Sequence, residues 1–148
     1  MTQPDPFVRT FREVQPKFAR FMARTLTERK LSLPQYALLN LLATAGKIPM
    51  TEASEKLHIS KPAVTNLVDR LEKNSFLKRL ADPKDRRVYL IQIQAKGESL
   101  IRETQTTILG FLLETLKLFD LKERRVISRF YELLSQTLDR SMEQKKKK

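Results

Sequence analysis

Apolar residues recur at helical spacing along most of the chain and predict a mainly helical protein. The first stripe comprises Phe7, Phe11, Val14, Phe18 and Phe21. Further stripes begin after two helix-capping patterns, at 32–35 and 120–123, where a Ser or Asp precedes a Gln or Glu by three residues. A short helix is expected from about Met50 to Leu57, with His58 in a left-handed turn after it.

Between residues 59 and 93 the pattern changes from helix to strand. Ser60 is expected to cap a helix with Pro62 in its first turn, and the inward stripe of that helix is Val64, Leu67, Val68 and Leu71. Two short apolar segments follow, separated by the turn-forming tip Asp82-Pro-Lys-Asp85. A helix followed at once by a hairpin with a charged tip is the arrangement of a winged helix-turn-helix, in which the second helix enters the major groove of DNA.

The outward face of the predicted recognition helix suits contact with DNA. Its residues are Ser60, Lys61, Pro62, Thr65, Asn66 and Arg70. Asn reads adenine bidentately, Thr meets a thymine methyl or a polar base edge, and Lys reaches guanine or phosphate. The helix N-terminus adds free N–H groups and a positive dipole end for phosphate. An ordinary amphipathic helix also carries a solvated polar face, so this face alone does not decide the function.

The hairpin tip carries two arginines that suit a second contact with DNA. Arg86 and Arg87 directly follow the turn, and a minor groove narrowed by A·T sequence attracts an inserted Arg. We expect Asp82 and Asp85 to hold an Arg side chain in a bidentate pair and to fix its direction. The alternative for the tip is a solvent-exposed, salt-bridged turn. Helix and tip together favour DNA binding over that alternative.

Charge and composition narrow the class of protein. Of the net charge of +12, residues 30–90 contribute +5 and Lys145 to Lys148 contribute +4, so the middle segment offers clustered positive charge for phosphates. With no cysteine and one histidine, neither a disulfide, a thiol sensor nor a metal site is expected. No Gly-rich phosphate loop or catalytic constellation is present, so we expect neither an enzyme nor a cofactor. No run of apolar residues approaches a membrane span, and a cytoplasmic protein is expected.

Several motifs closely resemble the MarR (multiple antibiotic resistance regulator) family. They are Leu33-Pro-Gln-Tyr36, Leu57-His-Ile-Ser-Lys-Pro-Ala-Val64, Leu67-Val-Asp-Arg-Leu-Glu-Lys73 and Asp82-Pro-Lys-Asp-Arg-Arg-Val88. The resemblance covers roughly residues 30–100. It implies a homodimer that binds double-stranded DNA at a pseudo-palindromic operator, typically as a repressor relieved by a small ligand.

Residue by residue, the resemblance places the outward residues named above on the recognition helix, and Lys84, Arg86 and Arg87 at the wing. It assigns Arg86 to the minor groove, whereas Arg87 either braces Asp82 or Asp85 or holds a phosphate. The resemblance also leaves open a small aromatic or anionic effector. Its pocket walls would be Phe18, Tyr36 and Phe111, although aromatic stripes more often fill cores.

The resulting fold prediction is mainly α with a small β-hairpin wing. It divides the chain into an N-terminal dimerisation helix (1–30), a winged helix-turn-helix lobe (31–94), C-terminal dimerisation helices (95–141) and a basic disordered tail (142–148). The alternative function is a winged-helix module that binds protein without specific DNA binding. Bulky apolar groups or reversed charges on the outward helix face would favour that alternative, and the sequence has neither.

Overall fold

The computed structural model describes residues 5–144 and contains six helices and one small sheet within that range. In chain order the elements are α1 (Pro6–Glu28), α2 (Leu33–Ala45), β1 (Ile48–Pro49), α3 (Met50–Leu57), α4 (Lys61–Lys73), β2 (Leu77–Ala81), β3 (Tyr89–Ile93), α5 (Ala95–Leu116) and α6 (Leu121–Gln144). The mainly helical fold with a hairpin wing is therefore confirmed. The predicted short helix and the recognition helix also lie where the sequence placed them.

The sheet has one strand more than the predicted hairpin. β3 is the central strand, with β2 and β1 antiparallel on its two sides. In the hairpin, Leu77 pairs with Ile93 and Arg79 with Ile91, while Ile48 of β1 pairs with Ile91 from the other side. The third strand was missed because it is only two residues long, and only its pairing with a distant strand defines it.

The hydrophobic core lies under the helix-turn-helix and the sheet. Side chains from α2, α4 and the two hairpin strands are essentially inaccessible, and the most deeply buried are Leu38, Leu39, Leu42, Val64, Val68, Leu71, Leu77 and Ile91. Leu26 at the end of α1 and Ile101 in α5 join the same cluster. The core thus holds α4 and the hairpin in one packed body, which positions the candidate site.

The chain forms two compact units, of which the first ends at Ile108 and the second begins at Leu109. The second unit contains the end of α5 and all of α6, which opens with a capping box. The N–H of Glu123 donates to Asp120 Oδ1 (2.9 Å), and the N–H of Asp120 donates to Glu123 Oε2 (2.8 Å). α6 continues to Gln144, so residues 142–144 of the predicted disordered tail are helical instead. Lys145 to Lys148 lie outside the described residues.

Candidate nucleic-acid interface

The turn before α4 aims the N-terminus of that helix away from the core. His58 adopts the left-handed conformation (φ 53°, ψ 40°), as expected for the residue that ends α3. Ser60 then caps α4, because its Oγ accepts from the N–H of Ala63 at 3.2 Å. Pro62 occupies the first turn, where a missing N–H costs nothing. The N–H of Val64 donates to the carbonyl of Ser60 (3.1 Å), so the backbone N–H of Lys61 is the donor of this turn that is left for an external acceptor such as phosphate.

All six predicted recognition residues of α4 and its cap are exposed: Ser60, Lys61, Pro62, Thr65, Asn66 and Arg70. The opposite side of the helix is buried in the core through Val64, Val68 and Leu71. Thr65 donates its hydroxyl to the carbonyl of Lys61 (3.1 Å), so this hydroxyl hydrogen is already used within the helix. Within residues 5–144 the side chains of Lys61, Asn66 and Arg70 form no hydrogen bond or ion pair, so each is free to bind a partner.

The wing tip between β2 and β3 is a tight, internally bonded loop. The N–H of Asp82 donates to the carbonyl of Val88 (3.0 Å), and the N–H of Val88 donates to the carbonyl of Asp85 (2.9 Å). Asp82 Oδ1 accepts from the N–H of Lys84 (2.8 Å), and Asp85 Oδ1 accepts from the N–H of Arg87 (3.0 Å). Both carboxylates therefore shape the backbone of the tip.

The predicted bidentate bracing of an Arg at the tip is wrong in its geometry. Arg87 contacts Asp85 through Nε alone, at 3.3 Å, and its side chain is 91% exposed. Asp82 holds the backbone of Lys84 rather than an Arg side chain, because its carboxylate is committed to closing the turn. Arg86 is exposed, and in the described part of the chain its guanidinium has no hydrogen bond or ion pair. Arg86 is accordingly the tip cation most available to a groove.

An ion-pair cluster between α4 and β2 was not predicted from the sequence. Arg79 in β2 donates from Nη1 to Glu72 Oε2 (2.8 Å) and from Nη2 to Asp69 Oδ1, and its backbone N–H donates to Glu72 Oε1 (3.0 Å). Strand alternation was the available signal, because Arg79 lies two residues after buried Leu77 and shares its face of the sheet. We call Arg79, Asp69 and Glu72 the helix–wing cluster.

The start of α5 packs tightly against the root of the wing. A Cβ on Gly97 would lie 2.2 Å from the carbonyl oxygen of Phe76, so this position admits only glycine at the observed spacing. Lys96 lies with its Nζ 4.9 Å from the centre of the Phe76 ring and donates to the carbonyl of Asn74 (3.0 Å). These contacts fix the hairpin base to the long helix.

The three aromatic residues proposed as pocket walls fall in different surroundings. Tyr36 in α2 is half-buried against the core, and this burial raises the pKa of its hydroxyl. Phe18 is exposed on α1, and Phe111 is exposed in the second unit. For Tyr36 the core-packing interpretation fits, while the pocket as a whole stays a prediction.

In the described range 5–144, no group of three or more His, Cys, Asp or Glu side chains is arranged to hold a metal ion. None of the helices formed by these residues combines the length and the apolar character that crossing a bilayer requires.

Comparison with known proteins identifies the family. A model of the MarR family matches residues 31–89, the helix-turn-helix and the wing. YfiV of Bacillus subtilis, an uncharacterized HTH-type transcriptional regulator, is 32% identical over 74% of this chain and 68% of its own length. YsmB of the same organism, likewise an uncharacterized HTH-type transcriptional regulator, is 35% identical over 55% of this chain. This match spans 56% of YsmB, little more than half of its length.

The fold comparison agrees with the sequence comparison. A solved structure of a MarR family protein from Bacillus stearothermophilus superimposes with a TM-score of 0.77 at 26% sequence identity, covering 90% of this chain and 93% of that chain. The part of the chain covered by this likeness is therefore larger than residues 31–89, which the family model matches. The chain therefore belongs to the MarR family of helix-turn-helix transcriptional regulators.

Proposed function

We propose that this chain binds DNA sequence-specifically as a homodimer and regulates transcription, most simply as a repressor at a pseudo-palindromic operator. The observation that carries the proposal is that one packed unit exposes two surfaces with unbonded polar side chains. One is the exposed face of α4 with Lys61, Asn66 and Arg70, and the other is the wing tip with Arg86. The role is one of binding rather than catalysis.

In this proposal α4 reads base edges in the major groove. Asn66 is the residue for adenine, because its amide is exposed and unbonded within residues 5–144. Thr65 presents its methyl group to thymine, since its hydroxyl is already bonded to the helix backbone. Lys61 and Ser60, at the helix N-terminus, bind phosphate together with the backbone N–H of Lys61.

The wing enters the adjacent minor groove through Arg86. Its guanidinium is free in the described part of the chain, whereas that of Arg87 is drawn toward Asp85. Arg87 and Lys84 then serve the flanking phosphates, which position the wing without reading sequence. Narrow A·T-rich minor grooves would be preferred because their negative potential is enhanced.

Exposed apolar side chains support the homodimer. On α1, the rings of Phe7 and Phe11 stack at a centroid distance of 6.2 Å and are each 57% exposed. On α6, an apolar stripe at four-residue spacing is exposed over its whole length and comprises Val126, Phe130, Leu134, Leu138 and Met142. Burying such stripes against a second copy is the usual solution for helices of this kind.

A small aromatic or anionic effector is the remaining element of the proposal. Tyr36 and Phe18 are the side chains of the first unit that would contact it. Because burial raises the pKa of Tyr36, its hydroxyl keeps its proton at neutral pH and donates to an anionic group. Addition of benzoate-type acids to a preformed protein–DNA complex, followed by anisotropy, tests this element directly.

The central experiment has two steps. Duplexes are first selected from a random pool with the wild-type chain, and the selected site is then compared with its scrambled version by fluorescence anisotropy at two salt concentrations. We expect a preference of about a thousandfold or more, with one dimer per site. Equal, steeply salt-dependent binding to both duplexes would mean polycation behaviour. Absence of binding at low salt would replace the proposal with a protein-binding winged helix.

A further inference from the structure

Arg79 bridges the two elements to which the proposed function assigns different grooves. It is the middle residue of β2, three residues before Asp82 at the start of the wing tip. That separation is about 10 Å along an extended strand. On the other side, its partner Asp69 lies between Asn66, one helical turn away, and its neighbour Arg70. The helix–wing cluster is thus close to both predicted contact surfaces but contains none of their residues.

The geometry of the cluster is a clamp rather than a single surface ion pair. Arg79 uses two guanidinium nitrogens for two carboxylates and its backbone N–H for a second oxygen of Glu72. Its side chain is 25% exposed, against 55% for Asp69 and 36% for Glu72, so the cation is the best-shielded member. A planar fork held by two side-chain bonds, on a backbone fixed by a third, has one preferred direction, which a flexible Lys would not have.

The cluster also reduces a charge conflict. Asp69 and Glu72 are carboxylates three residues apart on the helix that would approach phosphate. Left unpaired, they would repel the DNA backbone and each other. Arg79 offsets one of these two negative charges from within the protein, and the two guanidinium N–H groups that it donates to the carboxylates are not available for sequence readout.

We propose that Arg79 is a positioning residue that fixes the wing to α4 and thereby sets the spacing between the major-groove and minor-groove contacts. The proposal rests on the proposed DNA-binding function. Its consequence is that the protein measures distance along DNA. A one-base-pair shift moves a flanking A·T tract by about 3.4 Å and rotates it by roughly one-tenth of a turn. A clamped wing cannot follow that displacement.

The test uses the duplex selected by the wild-type chain and two derivatives. In these, one base pair is inserted or deleted between the core of each half-site and its flanking A·T tract. Wild type should lose at least about tenfold in affinity on the shifted duplexes, the cost of one good contact. Arg79→Gln should bind the original duplex more weakly and should lose less than about threefold on shifting. A purely structural role would lower affinity for all three duplexes by the same factor and leave this spacing penalty intact.

Matched variants separate the clamp from charge and folding. Lys78→Gln removes one positive charge from the neighbouring exposed position of β2 and should keep the full penalty. Asp69→Asn and Glu72→Gln break the same clamp at more exposed residues, and they decide the matter if Arg79→Gln unfolds. Arg79→Lys reaches one carboxylate at a time and should give an intermediate penalty.

The outcomes are distinct. A wild-type chain that selects no duplex overturns both the proposed function and this inference. If wild type binds its selected site but binds the shifted duplexes equally well, the inference alone is overturned. It is also overturned if folded Arg79→Gln and Glu72→Gln lose as much affinity on the shifted duplexes as wild type does. A reduced penalty in the clamp variants together with a full penalty in Lys78→Gln establishes Arg79 as the positioning residue.

Discussion

At the scale of single residues, the exposed side chains of α4 differ in whether the protein already uses their hydrogen-bonding groups. Thr65 has donated its hydroxyl to the helix backbone, and Asp69 is paired with Arg79. Asn66 retains a free amide with both a donor and an acceptor in the described part of the chain. Specific readout should therefore depend on Asn66 more than on its neighbours.

Asn66→Ala should lower discrimination between the selected site and a scrambled duplex by about 1–3 kcal/mol, the worth of one bidentate base contact. The stability of the fold should change by less than about 0.5 kcal/mol, because the side chain is exposed and forms no hydrogen bond within residues 5–144. Anisotropy on both duplexes measures the first quantity, and thermal unfolding the second. Unchanged discrimination would remove Asn66 from the residues that read sequence.

Arg86→Ala should weaken binding most where the flanks are A·T-rich, because the narrowed groove supplies the attraction that this side chain exploits. Arg87→Ala is the matched comparison at the adjacent position, since Arg87 is paired with Asp85 and is assigned to phosphate. Removing the Arg87 side chain should weaken binding to the same extent on all DNA sequences and reduce the dependence of the affinity on salt concentration. Equal losses for Arg86→Ala on A·T-rich and G·C-rich flanks would show that it too contacts only phosphate.

At the scale of elements, helix boundaries were predictable where a cap signal is local. Ser32, Ser60 and Asp120 each cap a helix as expected, because a capping hydroxyl or carboxylate acts on a backbone N–H two or three residues away. β1 and the helix–wing cluster were not predictable in this way. Both depend on residues that the tertiary fold brings together. Ile48 pairs with Ile91 in the sheet, and Arg79 donates to Glu72.

The difference between local contacts and contacts between distant residues also explains the hydrogen bonds at the wing tip. The sequence correctly predicted that Asp82 and Asp85 lie in the wing turn. It did not show from which donor each carboxylate would accept a hydrogen bond. Local backbone N–H groups competed with the Arg side chains and bound both carboxylates, since a short Asp reaches the N–H two residues ahead without ordering a long side chain. Local competition of this kind limits how far a site can be read from charge alone.

The junction between the wing and α5 gives a prediction at this scale. Gly97→Ala should destabilise the fold by about 1–3 kcal/mol, because the added methyl would overlap a backbone carbonyl that is itself hydrogen-bonded to the N–H of Gln94. Gly110→Ala is the control in the same helix, since a Cβ there meets nothing within 4 Å. It should stabilise the fold by up to about 1 kcal/mol. Thermal unfolding in which both variants behave alike would contradict the close packing at Gly97.

At the scale of the whole molecule, the exposed apolar stripe of α6 argues that the chain acts as a homodimer, and its disruption gives the last prediction. Leu138→Glu places a charge at a half-exposed position of that stripe. Burying it against a second copy would cost an unpaired carboxylate, so the dissociation constant should rise at least about tenfold. Gln136→Glu adds the same charge two residues away on the polar side of the helix and should leave the dissociation constant unchanged.

Sedimentation equilibrium measures the state of association, and wild type should have twice the mass of one chain. The monomeric Leu138→Glu variant should bind each half-site independently of the other, and its affinity should be lower than that of wild type for the full site. A wild-type monomer that still binds its full site tightly would contradict dimeric recognition.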